Sequence, residues 1–228
     1  MGQEGSIVKE PIDSGEPLVS LSGLTAKLQV YPYYHKLGYS EALPDCYARE
    51  GVADRLVKAA ERLPEGYSLV VWDGWRPYRL QQAIFDRFRE TLLAQGWQEG
   101  EALTREVTKY VALPSTDPAH PAPHLTGGAV DVTIAGPNGW LPMGTDFDDF
   151  TPLAATDYFE QLPELSAAEM AIRDNRRWLH ELMTSAGFVN YPEEWWHFDY
   201  GNKAWARHHQ TLPKYGGILS LEKAECIE

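Results

Sequence analysis

A chain of 228 residues, 43% of them hydrophobic, is long enough to bury one sizeable core, and residues 1–228 read as a single domain. Its net charge of −13 leaves no Lys/Arg-rich face to meet phosphates, which excludes nucleic acid as a partner. No run approaches the ~18 apolar residues of a membrane span, and no basic-then-apolar leader opens the sequence, so no membrane partner and a cytoplasmic location are expected.

Residues 1–17, with Gly, Glu and Pro, predict an irregular arm, within which Gly2 and Ser6 fit the loose myristoylation pattern. Val52, Leu56, Ala59 and Leu63 recur at helical spacing and predict a helix over 48–63, ended by Pro64-Glu-Gly66. Tyr67–Trp72 is a β-rich run, and Asp73–Pro77 turns the chain into a second helix with Pro77 suited to its first position. Leu80, Ile84, Phe88 and Leu92 form its apolar stripe, and a third helix is expected near 100–112. Residues 113–128, rich in Pro and Gly, form a loop that delivers His124. Ala129–Ile134 alternates, with Val130, Val132 and Ile134 on one face and Asp131 and Thr133 on the other. Residues 135–163 read as irregular. Ser166-Ala-Ala-Glu169 is a capping box opening a helix to about Ala186, with Gly187 as its stop. Trp196–Tyr200 alternates again and puts His197 and Asp199 on one face. This order predicts an α+β fold, a small, mostly antiparallel sheet flanked by helices, with the site on the sheet face. Cys46 and Cys226 form no CxxC and read as free thiols.

The chemistry concentrates in two segments, His124-Leu-Thr-Gly-Gly-Ala-Val-Asp131 and Glu194-Trp-Trp-His197. They supply two imidazoles, a carboxylate ligand and a spare carboxylate. That is the set a catalytic zinc requires: three protein ligands, an open position for water and a general base. Gly127-Gly128 lets the backbone turn between His124 and Asp131. His35, His120, His180 and the pair His208-His209 have no such partners in sequence and read as ordinary surface or structural residues.

These segments resemble the zinc D-Ala-D-Ala peptidases of the vancomycin-resistance type, in particular their D-alanyl-D-alanine dipeptidase branch. That family carries S-x-H-x-x-G-x-A-x-D followed by E-x-W-H. His124, Gly127, Ala129, Asp131, Glu194, Trp196 and His197 fall on the pattern. Trp72-Asp-Gly-Trp-Arg-Pro77, Pro142-Met-Gly-Thr-Asp-Phe-Asp148 and Asp174-Asn-Arg-Arg177 are similar to the dipeptidase branch, and the resemblance covers roughly residues 67–200. It implies one Zn2+ per chain held by His124, Asp131 and His197, with Glu194 as the base. It further implies Arg76 as the oxyanion stabiliser, Asp148 as the binder of the substrate ammonium, and a small D,D-dipeptide as substrate. The family's leading Ser is Ala122 here, which removes a hydroxyl that substrate could use.

The rival within the superfamily is a D,D-carboxypeptidase or peptidoglycan endopeptidase. A mononuclear iron oxygenase also uses two His and a carboxylate, but it places them closer in sequence and has no use for Glu194. A zinc-stabilised binding module with a dead site has no need of that base either. Oligomeric state is not legible in the sequence.

Overall fold

In the computed structural model, residues 13–117 and 120–221 are described. The expectations for Gly2, Ser6 and Cys226, and for the arm before residue 13, lie outside them. In chain order the elements are β1 (Leu18–Ser20), β2 (Leu28–Val30), α1 (Tyr33–Lys36), β3 (Tyr47–Arg49), α2 (Glu50–Glu61), β4 (Ser68–Asp73) and α3 (Tyr78–Ala94). Next come α4 (Glu101–Val107), β5 (Ala129–Gly136), β6 (Gly139–Trp140), α5 (Ala167–Ser185), β7 (Val189–Asn190), β8 (His197–Asp199) and α6 (Lys203–His208). Short 3-10 turns occupy His124–Thr126, Pro152–Ala154 and Tyr158–Glu160.

The main sheet runs β2-β4-β5-β8-β7, with β6 folded back on the end of β5, while β1 and β3 pair separately. Only the β2–β4 contact of the main sheet is parallel; β4–β5, β5–β6, β5–β8 and β7–β8 are antiparallel. The fold is thus the expected α+β, with a sheet that is mixed at one edge. β5 is its centre, and Ala129–Ala135 are all buried. The alternation along β5 therefore separates two covered faces rather than a core face from a wet one. Val130, Val132 and Ile134 point to one of them, and Asp131 and Thr133 to the other.

α2 touches α5 and also β2 and β4. Its buried Val52, Leu56, Ala59 and Ala60 supply the helical stripe, as Leu179, Leu182 and Met183 do for α5. The capping box of α5 forms as the sequence dictates: Ser166 Oγ accepts from Glu169 N, and the Glu169 carboxylate accepts from Ser166 N. Several local expectations change. The segment at 48–63 starts as strand β3, because Tyr47–Arg49 finds β1 as a partner, and the helix begins at Glu50. Pro77 is the cap before α3 rather than its first residue. Phe88 of the predicted stripe is only partly buried and stacks on Phe150 instead. α4 ends at Val107, short of the predicted 112. The region 135–163 is irregular except for the last two residues of β5, β6 and its short turns.

Two backbone features frame the site. Gly127 has φ +69° and ends the turn that carries His124. At Gly128 a Cβ would lie 2.5 Å from the Tyr200 carbonyl oxygen, so β5 and the end of β8 approach as only glycine allows. The C-terminal stretch closes over the same turn: Ile218 N donates to Leu125 O (2.8 Å), Trp75 Nε1 to Ile218 O (3.0 Å), and Arg49 Nη2 to Gly216 O (3.1 Å). Gly128→Ala is expected to destabilise the fold by about 1–3 kcal/mol through this overpacking, read as a lower urea midpoint at unchanged slope.

Candidate metal centre and active-site cleft

His124, Asp131 and His197 are brought together by three different devices. The 3-10 turn held between Pro123 and Gly127 carries His124. β5 carries Asp131, and β8 sets His197 directly opposite it in the antiparallel register. A non-hydrogen-bonded or bonded cross-strand pair brings side chains within reach of each other, and here His197 Nδ1 lies 3.0 Å from Asp131 Oδ1. His124 Nε2 is 3.4 Å from Asp131 Oδ2 and 3.2 Å from His197 Nδ1. All three side chains are buried, and their ligand atoms lie within 4.8 Å of one another.

The other ring nitrogens decide what these atoms are. His124 Nδ1 is 2.8 Å from the Gly74 carbonyl oxygen, which only accepts, so Nδ1 carries the proton and Nε2 a lone pair. His197 Nε2 is 3.3 Å from Asp199 Oδ1, again an acceptor, so a ring that gives up one proton to a metal keeps the other on Nε2 and offers the Nδ1 lone pair. Two lone pairs and a carboxylate oxygen thus converge, and that donor set fits a zinc ion. The electrostatics agree. Burial opposes a charge on His197, yet Asp199 and Asp131 together push its pKa well above the usual histidine value, so without metal its Nδ1 holds a proton toward Asp131 that a bound cation would displace. Burial likewise opposes ionisation of Asp131, but His124 and His197 hold it well below the usual carboxylate range. The group as a whole draws positive charge to its centre.

Glu194 lies in the turn before β8, fixed through its backbone by Tyr191 and Asn190. Its Oε2 is 3.8 Å from His197 Nδ1, next to the ligand cluster without belonging to it. Burial pushes its pKa up to about 8, with His197 opposing and Asp131 reinforcing. Such a value suits a proton carrier near neutral pH.

Arg76 enters from the turn after β4. Its guanidinium is buried and held by Asp73 (Nε, 2.7 Å), Gln81 (Nη1, 3.0 Å), the Tyr34 hydroxyl (Nη2, 3.2 Å) and Asp131 (Nη2, 3.4 Å). Burial opposes its charge, but Tyr34, Asp73 and Asp131 raise its pKa further. Asp148 accepts from the Tyr34 hydroxyl at 2.7 Å and holds the left-handed conformation, φ +58°. A non-glycine residue kept there costs about 1–3 kcal/mol and is often found at functional sites. Burial pushes the Asp148 pKa up to about 7 against Arg76 and Tyr34.

All six sequence-predicted residues line one cavity of about 230 Å³. That is below the roughly 300–1,000 Å³ of sites for drug-sized ligands, so it suits a small molecule. Ala122 is buried, and its carbonyl accepts from Leu125 N at 3.1 Å. Sequence reading missed Tyr34, Asp73, Gln81, the Gly74 carbonyl and the role of Asp199. Asp199 had a signal in its place two residues after His197 on an alternating strand, and Asp73 and Gly74 in the family-like segment Trp72–Pro77. His120 and His180 are exposed and apart from the cluster, as expected. Cys46 is buried and free.

Residues 36–215 match the family model described as D-ala-D-ala dipeptidase. A D-alanyl-D-alanine dipeptidase of Synechocystis sp. is 29% identical over 231 residues, 90% of this chain and 93% of its own. One from Enterococcus faecium is 28% identical over 156 residues, 64% of this chain and 69% of its own. Among solved structures, a vancomycin-resistance D,D-pentapeptidase VanY in complex with Zn(II) is 20% identical with a TM-score of 0.44, over 75% of this chain and 83% of its own. No described helix is long and apolar enough to cross a membrane.

The donor set predicts about one zinc per chain in the purified protein. His124→Ala, Asp131→Ala and His197→Ala are each expected to lose it, as measured by elemental analysis after dialysis. Stoichiometric iron instead would refute the assignment.

Proposed function

The chain belongs to the D-Ala-D-Ala dipeptidase family, and on that premise we propose that it hydrolyses the free dipeptide D-Ala-D-Ala, with one water, to two D-alanines. The convergence of three ligand atoms beside a buried, unligated Glu194 carries this reading. His124, Asp131 and His197 would hold zinc, which when bound would supply the Lewis acidity that makes water a nucleophile near neutral pH. Glu194 takes the proton from the attacking water and hands it to the leaving amine, a shuttle for which a pKa near neutrality is suited. Arg76 presents a fixed positive charge to the oxyanion of the tetrahedral intermediate. Its four protein partners hold it in place before substrate arrives, so little reorganisation is left for the reaction itself.

Asp148 receives the substrate's α-ammonium. Among the described residues it makes no ion pair within 4.0 Å, and Tyr34 takes up one of its oxygens. The carboxylate therefore favours a free ammonium and disfavours a blocked or acidic end. One domain acting in the cytoplasm on a small substrate is part of the same proposal.

Glu194→Ala is expected to keep zinc and fold while losing about 10²–10⁴ of kcat. Loss of zinc in that variant would make Glu194 a fourth ligand and close the site.

Substrate choice tests Asp148. Free D-Ala-D-Ala is expected to be cleaved, and N-acetyl-D-Ala-D-Ala and stem-length peptides to be left intact. Because Asp148 is charged only above about 7, KM for the dipeptide should rise as pH falls below that value. Asp148→Asn should raise KM and remove this acid-side rise. Efficient release of D-alanine from acylated peptides would assign the chain to the D,D-carboxypeptidase branch.

A further inference from the structure

The cleft treats its two histidines differently. His124 is tied to a backbone carbonyl, that of Gly74, which no side-chain substitution removes. His197 is tied to a side chain, through the 3.3 Å contact between its Nε2 and Asp199 Oδ1. Asp199 stands two positions further along β8 and so shares the face of His197. β8 is paired on both sides, with Asp199 opposite Ala129 of β5 and Val189 of β7, which fixes its backbone. The carboxylate is fixed in turn by Asn202, whose Nδ2 donates to the same Oδ1. Asn202 is 1% exposed, and its own Oδ1 accepts from Trp205 N at 3.1 Å to cap α6. Pinned at both ends, the carboxamide cannot flip: the reverse orientation sets oxygen against carboxylate and amino group against N–H.

We propose that Asp199, held by Asn202, is the positioning residue for the metal on the β8 side. It accepts the Nε2 proton of His197, so Nδ1 is the nitrogen presented to the ion, and its negative charge makes that nitrogen a stronger donor. Asp199 is not a ligand itself, because Oδ1 contacts the ring nitrogen opposite the one in the cluster. Without the carboxylate, His197 is free to exchange tautomers and to turn, while His124 and Asp131 stay in place. This inference rests on the zinc reading given above, and zinc affinity tests it separately from hydrolysis.

Zinc affinity of the full chain is measured by chelator competition, alongside the melting temperature of the metal-free protein. Asp199→Ala is expected to weaken zinc binding by about 10–100-fold. Asp199→Asn keeps an acceptor oxygen and loses the charge, so it is expected to weaken binding by less, with the metal-free melting temperature unchanged. It decides the matter if the Ala variant does not fold. Asn202→Ala is expected to weaken zinc binding in the same direction. Parental zinc affinity in Asp199→Asn and in a folded Asp199→Ala overturns the proposal. So does a lower metal-free melting temperature with unchanged zinc affinity, which is the mark of a merely structural role. A parent chain that binds no zinc sinks the metal reading as a whole, whereas a zinc-binding parent with insensitive variants removes only the role of Asp199.

Discussion

Two imidazole nitrogens, each with the other ring nitrogen turned to an acceptor, face each other across 3.2 Å beside a buried carboxylate. Donors so placed are compatible only with a cation among them, a proton or a metal ion, and this need organises the molecule around it. The sheet answers it by pairing Asp131 with His197 across its centre, and the glycine-terminated turn answers it by returning His124 to the same point. Neither strand contributes an exposed polar face. The polar side of β5 is as buried as its apolar side, so its two acidic or hydroxyl side chains serve the interior.

Around the cluster, one buried cation keeps several buried carboxylates compatible. Arg76 contacts Asp73 and Asp131 directly and reaches Asp148 through the Tyr34 hydroxyl. Removing such a cation leaves buried like charges uncompensated, which is far costlier than losing a surface ion pair. The chain Asp131–Arg76–Tyr34–Asp148 also joins the ligand cluster at one end of the cleft to the carboxylate proposed to receive the ammonium at the other. The spacing between those two ends is therefore set by side chains that are themselves hydrogen-bonded, with little left to loop motion.

Local signals in the sequence carried far. The alternation of Ala129–Ile134 and of Trp196–Tyr200 put Asp131 and His197 on strands, and the paired glycines predicted a sharp turn after His124. The capping box at Ser166 located α5 to the residue. What was not legible depends on pairing between distant segments. β1 and β2 have three residues each and become strands only because β3 and β4 lie beside them. The Gly74 carbonyl has no side chain to announce it. Tyr34 belongs to a four-residue helix 114 positions from Asp148, and nothing in its own surroundings marks it for the cleft. Pro77 showed the limit of a sound rule, since it stands one place ahead of the helix start it was assigned to. The family resemblance supplied the roles of Arg76 and Asp148, which spacing alone left open.

The stretch that closes over the His124 turn bears on how the protein is made. His124 and Asp131 leave the ribosome first, and His197 follows 66 residues after Asp131. The backbone of Gly216 and Ile218, which braces Arg49, Trp75 and Leu125, comes later still. A nascent chain thus carries an incomplete ligand set until His197 is made, and the turn of its first histidine lacks this brace until Ile218 follows. Metal capture in its final geometry waits for both segments, and the order of residues along the chain acts as a timer on it.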